Sequence, residues 1–461
     1  MKIQESVGKI KKVMTAVKDK MTYTQIIALG YFCVILTGTL LLLLPLATRA
    51  GEHTGFLTAL FTATSSTCVT GLVVVDTSLH WTVFGQIVII LMIQVGGLGF
   101  VTMGVLFSMF LRRKISLSTR SLLQESMNAN QLGGMVKLVR GILKGTLLFE
   151  GTGAILLAIR FVPQYGFLKG VYYSVFHAIS AFCNAGFDLM GTQSGAYSSF
   201  VSYVSDPIVP TVFMILIVVG GIGFFVWQDL AVNKWNWKKY SLHTKLVLSS
   251  TAVLLIGGTI VYYLLERQNV LAGMSTGEGI FAAMFSSVTA RTAGFNTTDV
   301  GGLTTASKLF TMMLMFVGGS PGSTAGGIKT VTLMVMLVYV WSNLRGCRSC
   351  NIFGRRLDDE NIKKASNVIV ISILLAVTAI LALSCLQQEL PLEDLMLEVF
   401  SAIGTVGMST GITRSLTPAS RLIVILLMFC GRIGSMSFAL SFTERKKVAP
   451  VQLPSEKVMI G

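Results

Sequence analysis

Four short segments carry the most definite chemistry in this 461-residue chain: Val69-Thr70-Gly71-Leu72, Asn184-Ala185-Gly186-Phe187, Thr292-Ala293-Gly294-Phe295 and Thr405-Val406-Gly407-Met408. Each reads small or polar, small or β-branched, glycine, then bulky apolar. Glycine reaches backbone conformations barred to other residues, so peptide carbonyls here can turn toward a common axis. A ring of such carbonyls replaces the hydration shell of a dehydrated cation. Each segment follows a stretch rich in Ser, Ala and Phe: 56–66, 172–182, 279–289 and 392–404. A dozen residues are too few to cross a bilayer, so these stretches read as re-entrant helices. Their C-terminal ends, the negative ends of the helix dipoles, point toward the same place. Both features favour cations.

The elements that must position these loops repeat as well. Each loop glycine precedes an apolar segment with a G-x-x-G: Gly96 to Gly99, Gly220 to Gly223, Gly319 to Gly322 and Gly431 to Gly434. The intervals from loop glycine to first G-x-x-G glycine are 25, 34, 25 and 24 residues. The longer second interval contains a longer external loop, Asp188 to Asp206. The unit is therefore outer helix, pore helix, glycine loop, inner helix. Outer helices are expected at 24–46, 139–161, 246–265 and 366–386, and inner helices at 82–111, 207–231, 309–341 and 421–442. The expected fold is an all-α membrane protein of eight transmembrane helices, its four repeats (24–111, 139–231, 246–341, 366–442) set around one pseudo-four-fold pore. The alternative is four glycine kinks in packed helices; the repetition and the short preceding segments argue against it.

Composition agrees. Hydrophobic residues make up 52% of the chain and charged residues only 13%, against roughly 25% charged in soluble domains. The net charge of +16 is placed for a membrane rather than for nucleic acid. Lys and Arg gather in 1–23, 112–138, 232–245, 342–365 and 443–461, between alternate apolar spans. The positive-inside rule puts these segments, and so both termini, in the cytoplasm. The last of them, 443–461, is too short to fold alone. Cysteine usage implies no disulfide framework. Cys347 and Cys350 form one CxxC without the second pair that a structural zinc site needs. His53, His80, His177 and His243 show no metal-ligand spacing, and no catalytic constellation emerges, so an enzyme is not expected.

The third inner helix is too long for one crossing, and its middle reads Gly318-Gly319-Ser320-Pro321-Gly322-Ser323-Thr324-Ala325-Gly326-Gly327. Five glycines and a proline cannot continue a helix. Irregular backbone at membrane depth is tolerated only inside protein or beside water, so this loop is expected to border the pathway as a gate below the glycine ring. A passive kink is the plainer alternative. The stretch GSTAGGIKT resembles a phosphate-binding loop, but Ile328 puts Lys329 one position out of register. Arg432 lies inside the fourth inner helix, where a charge usually faces a cavity; it reads as a positive barrier in the pathway, or as half of a structural ion pair. Arg291 is a candidate buttress of the third loop. Glu150 and Lys144 lie on the second outer helix, expected to face away from the pore; they read as packing or partner contacts, with a role in ion coupling as the alternative. Asp76, Asp188 and Asp299 follow the glycine loops on the outer side, where they can concentrate cations or simply be solvated.

These loops and repeats resemble the Trk/Ktr/HKT superfamily of potassium transporters, over nearly the whole chain. Starting with a single outer helix after a basic tail, the chain is most similar to the bacterial Ktr-type membrane subunit; Trk-type subunits usually carry an extra helix pair. The resemblance implies that Val69, Thr70, Gly71, Asn184, Ala185, Gly186, Thr292, Ala293, Gly294, Thr405, Val406 and Gly407 form a potassium filter. Family members with serine at the position of Gly71 tend to favour sodium, so Gly71 implies potassium. The resemblance also implies that 318–327 and Arg432 restrict the pore. Thr405-Val406-Gly407 matches the T-V-G of potassium channels; the other loops depart from it, which implies looser selectivity. The same resemblance implies a plasma-membrane location, a homodimer, a cytoplasmic nucleotide-binding regulatory subunit of the RCK type, and possible sodium dependence. No covalent cofactor is expected, and nucleotide only on that partner. The competing function is a secondary carrier with alternating access, though such carriers are built from paired halves and this chain shows four units.

Overall fold

The computed structural model describes residues 21–111, 115–127, 134–347, 349–435, 437–438, 454, 456 and 459. The basic clusters of 1–20 and 443–453, with Arg112, Arg113, Lys114 and Arg348, lie outside the described residues, as does most of the expected fourth inner helix beyond Ser435.

Four outer helices run Tyr23–Leu42, Met135–Tyr165, Leu242–Glu266 and Asp359–Leu386. All four are long and apolar enough to cross a membrane. Each leaves a row of large apolar side chains uncovered, such as Phe32, Leu36 and Leu40 on the first and Ile373, Leu374 and Val377 on the fourth. In water such rows would be costly; in a bilayer they face a matching solvent. Local signals start the helices: Thr22 and Gln25 form a capping box on the first, and the Asp358 carboxylate caps the fourth at the Glu360 N–H.

The pore helices run Phe56–Cys68, Phe167–Phe182, Thr276–Thr289 and Leu392–Gly404. They are the buried centre of the molecule. Thr62, Thr64, Ser65, Ser66 and Thr67 of the first are all buried despite their hydroxyls. Inner helices begin on threonine caps at Thr82, Thr304 and Thr417; the second uses the Asp206 carboxylate at the N–H of Ile208.

Inner helix 3 breaks as expected, into Thr305–Phe316 and Thr330–Leu344. The break is not confined to it. Inner helix 1 divides into Val83–Leu98 and Phe100–Phe110 at 98°, and inner helix 2 into Ile208–Gly221 and Phe224–Asn233 at 93°; inner helix 4 stops at Ile433. In repeats 1, 2 and 4 the straight helix ends at the second glycine of the G-x-x-G, since Gly99, Gly223 and Gly434 have φ between 84° and 98°, where side-chain-bearing residues are disfavoured; in repeat 3 the helix already ends at Phe316, and Gly322, at φ 67°, lies inside the irregular segment. Among the described residues, counting each bent pair as one span gives six; Thr305–Phe316 and Thr330–Leu344 are shorter apolar helices, and the fourth inner helix is described over the 16 residues Pro418–Ile433. Two elements lie in segments expected to be plain loops: a helix at Leu117–Ser126 and a hairpin pairing Asn351–Ile352 with Arg355–Arg356.

Candidate functional site: a closed ring of glycine loops above a broken helix

The four glycine loops converge. Gly71, Gly186, Gly294 and Gly407 have φ of 93°, 70°, 77° and 92°. The residue two before each is also left-handed: Val69 58°, Asn184 60°, Thr292 79° and Thr405 50°. Non-glycine residues seldom adopt this conformation, so its presence in all four loops marks an imposed geometry. A β-carbon added at Gly71 would meet the Ala185 carbonyl at 2.6 Å, at Gly186 the Ala293 carbonyl at 2.9 Å, and at Gly294 the Val406 carbonyl at 2.5 Å; at Gly407 it would press still closer on the Thr70 carbonyl. Each glycine thus faces the carbonyl of the next repeat, and the fourth faces the first. The contacts close a ring in chain order.

Hydroxyls of the pore helices brace the loops. Ser65 accepts from the Gly71 N–H (3.1 Å) and Ser401 from the Gly407 N–H (3.0 Å). In the other two repeats Ser180 and Thr289 donate to the carbonyls of Phe187 and Phe295, both at 2.7 Å. The first glycine of the G-x-x-G supplies the close fit behind. β-carbons at Gly96, Gly220 and Gly431 would collide with the carbonyls of Thr67, Phe182 and Ile403 at the ends of their own pore helices. One buried group was not singled out from sequence. Glu398, inside pore helix 4, accepts from Ser409 (2.7 Å) and Thr413 (2.6 Å) just past the fourth loop. Lys329 ends the broken segment.

That segment, 317–329, lies beneath the fourth loop. β-carbons at Gly326 and Gly327 would strike the Thr405 side chain and the Gly404 backbone. Its backbone is paired rather than loose: Ser320 N–H donates to Gly221 O (2.9 Å), Phe224 N–H to Gly322 O (2.7 Å) and Gly318 N–H to Ile328 O (2.8 Å). The break of inner helix 2 thus holds the break of inner helix 3.

Two cations join this layer. The Arg432 guanidinium donates to Thr324 O in the broken segment and to Gly96 O and Gly97 O (3.0 Å) at the end of inner helix 1. It bonds carbonyls of two repeats, one at the negative end of a helix; all three partners are backbone carbonyls, so these contacts form no ion pair. Lys329 Nζ donates to Ala325 O at 2.7 Å. Arg291 is buried beside the third loop. Glu150 makes a packing contact, but onto inner helix 1 rather than away from the pore. It is 7% exposed and accepts from Gln94 Nε2 on inner helix 1 at 3.0 Å. Thr146, Glu150, Gly153 and Leu157 share the inward stripe of outer helix 2, and a 3.6-residue period fixes that face.

Two cavities lie on opposite sides of the ring. The outer cavity, so named for the side expected to face outward, has about 500 Å³ and is lined by all four loop glycines and by Asp76, Asp188, Asp299 and Arg414. The inner, about 350 Å³, is lined by Pro321, Gly322, Ser323, Lys329 and Arg432. No residue lines both. The three aspartates differ. Asp76 is spent on structure, accepting from the N–H groups of Ser78, Leu79 and Tyr197. Asp299 is exposed. Asp188 accepts from the Met190 N–H (2.9 Å), and burial, helped by nearby Asp76, pushes its carboxyl up to about 7.

Residues 8–450 match the family model described as TrkH, cation transport protein. The chain is 41% identical to the Ktr system potassium uptake protein B of Bacillus subtilis, over 97% of this chain and 100% of the other. It is 40% identical to the potassium/sodium uptake protein NtpJ of Enterococcus hirae, over 96% and 98%. The crystal structure of the potassium transporter TrkH from Vibrio parahaemolyticus superposes with a TM-score of 0.70 at 15% identity, covering 90% of this chain and 84% of that one; at this identity the likeness speaks for the fold. With a family model and full-length relatives agreeing, the chain belongs to the TrkH family of membrane cation transporters, among its Ktr-type subunits, and is not an enzyme.

Proposed function

We propose that this chain is the pore-forming subunit of a Ktr-type system that takes up potassium across the bacterial plasma membrane, with both termini cytoplasmic. The observation that carries the reading is the closed ring of four left-handed glycines, each against the next repeat's carbonyl. A ring of this kind offers a dehydrated cation oxygen ligands from four sides. The names of the relatives supply potassium, and in one case sodium, as the transported ion. The gate is the segment 318–327 with Arg432: the segment lies under the fourth loop, and Arg432 ties it to inner helix 1. Four units about one axis fit a channel-like pore better than paired halves that rock about a site. A homodimer, an RCK-type nucleotide-binding subunit on the cytoplasmic face and a sodium requirement belong to this reading through the family.

The test is potassium uptake in a potassium-starved bacterial strain lacking its own uptake systems, with a Ktr regulatory subunit co-expressed. The parent should rescue growth. Gly71→Ser must push its β-carbon onto the Ala185 carbonyl, and should lose uptake or shift it toward sodium. No uptake by a correctly inserted parent would refute potassium transport; rescue by Gly71→Ser equal to the parent would refute the filter assignment. Deleting part of Ser320 to Gly326 should raise flux, and unchanged or lower flux in a well-folded deletion would remove the gate.

A further inference from the structure

The external loop of repeat 2 is longer than its counterparts, and it makes contacts with all three other repeats. At its start Thr192 N–H donates to Ser78 Oγ of repeat 1 at 3.0 Å, and Tyr197 N–H to Asp76 Oδ2 at 2.9 Å. Toward its end Phe200 N–H donates to Asn296 O of repeat 3 at 2.9 Å, and Asn296 N–H returns to Ser199 Oγ at 3.2 Å. Between these ties Tyr197 and Ser199 sit at φ 62° and 48°, a conformation that costs a bulky residue and is kept only where surrounding contacts impose it. The Tyr197 ring is thereby held over the outer cavity, and the guanidinium of Arg414 from repeat 4 lies over it at 4.3 Å. Arg414 is the one basic side chain among the described residues lining that cavity, which otherwise carries Asp76, Asp188 and Asp299.

A fixed positive charge at the entrance of a cation pathway opposes entry; one stacked on an aromatic face is held in place by the ring's quadrupole. Arg414 is exposed and its Nε donates to Gly411 O at 3.2 Å, so this bond and the Tyr197 ring together limit its sweep. We propose that Tyr197 parks Arg414 to one side of the outer cavity, and that this pair sets the apparent affinity for external monovalent cation. The inference rests on the cation-uptake reading above. The residues act through position: neither is a ligand of the ring.

The test is the concentration dependence of rubidium uptake by cells producing the full chain with a regulatory subunit, KM and maximal rate being read separately. Arg414→Gln should lower KM by roughly two- to five-fold with the maximal rate unchanged, the scale of one partly screened charge within a Debye length. Raising ionic strength with an impermeant salt should shrink the difference. Tyr197→Ala frees the guanidinium and should raise KM by a similar factor, Tyr197→Phe keeps the ring and should match the parent, and the Tyr197→Ala, Arg414→Gln double variant should match Arg414→Gln. An unmoved KM in Arg414→Gln overturns the proposal, and that arm suffices even if Tyr197→Ala fails to reach the membrane. A KM rise in Tyr197→Ala that persists without Arg414 also overturns it, assigning the ring to loop shape instead. Uptake by the parent with these results separates failure of this inference from failure of the transport reading, in which the parent takes up nothing and both fall.

Discussion

The ring and the broken helix beneath it are both built from glycine inside the helix bundle, yet they are held by opposite means. The ring is fixed by exclusion: every β-carbon position is filled by a neighbouring carbonyl, and pore-helix hydroxyls brace each loop. Nothing there can move without moving the next repeat. The segment 317–329 is fixed by attachment, through backbone hydrogen bonds to inner helix 2 and side-chain bonds from Arg432 and Lys329. Attachments can be released one at a time, and a released loop has other conformations open to it. Close packing suits a site that must discriminate between ions, and replaceable hydrogen bonds suit an element that must open.

The sharpest way to break this contrast is a single methyl in the ring. Gly407→Ala places a β-carbon on the Thr70 carbonyl at a φ of 92°. A left-handed alanine costs about 1–2 kcal/mol before any clash, so uptake should fall by at least about tenfold. Gly257→Ala on outer helix 3, where nothing lies within 4 Å, should transport like the parent. Equal uptake by the two variants would mean that the ring is not close-packed in the working protein.

The proposed gate gives the next largest effect, with the opposite sign. Hydrogen bonds to a charged group contribute roughly 1.5–3 kcal/mol each, and Arg432 makes them to two repeats. Arg432→Gln should raise rubidium flux several-fold; a fall in flux with normal membrane levels would assign Arg432 to folding. Lys329→Met removes a bond internal to the broken segment and should raise flux less than Arg432→Gln does. The reverse ranking would move the principal latch to Lys329.

The smallest effect lies at the entrance. Asp188, its carboxyl pushed up to about 7 chiefly by burial, is charged above that pH and neutral below it. Lowering external pH from about 8 to about 6 should therefore raise KM, by roughly two-fold for one screened charge. Asp188→Asn should show the low-pH KM throughout; a pH dependence surviving in it would assign the titration elsewhere.

Glu150 shows where a sequence reading of this fold loses its grip. The apolar run around it marks a membrane helix, and its place in the repeat marks an outer one, which on average faces lipid. Which stripe turns inward depends on what packs there, and Gln94 lies 56 residues away in another helix. Asp76 is a similar case. Its position after the first loop is that of a cation attractor, but its carboxylate is consumed by N–H groups from its own turn and from Tyr197, 121 residues on.

Composition and period alone encode the apolar spans, the four-fold unit, the loop glycines and the broken third inner helix. These are local properties, because twenty apolar residues, or five glycines and a proline in ten, have few ways to fold in a bilayer. The closing of the four loops in chain order, the ending of three straight helices at their G-x-x-G, the reach of Arg432 to two repeats and the reach of the long second loop across the outer cavity became visible only in three dimensions. Each of these depends on contacts between residues that are distant in the chain, and such contacts leave no periodicity to read.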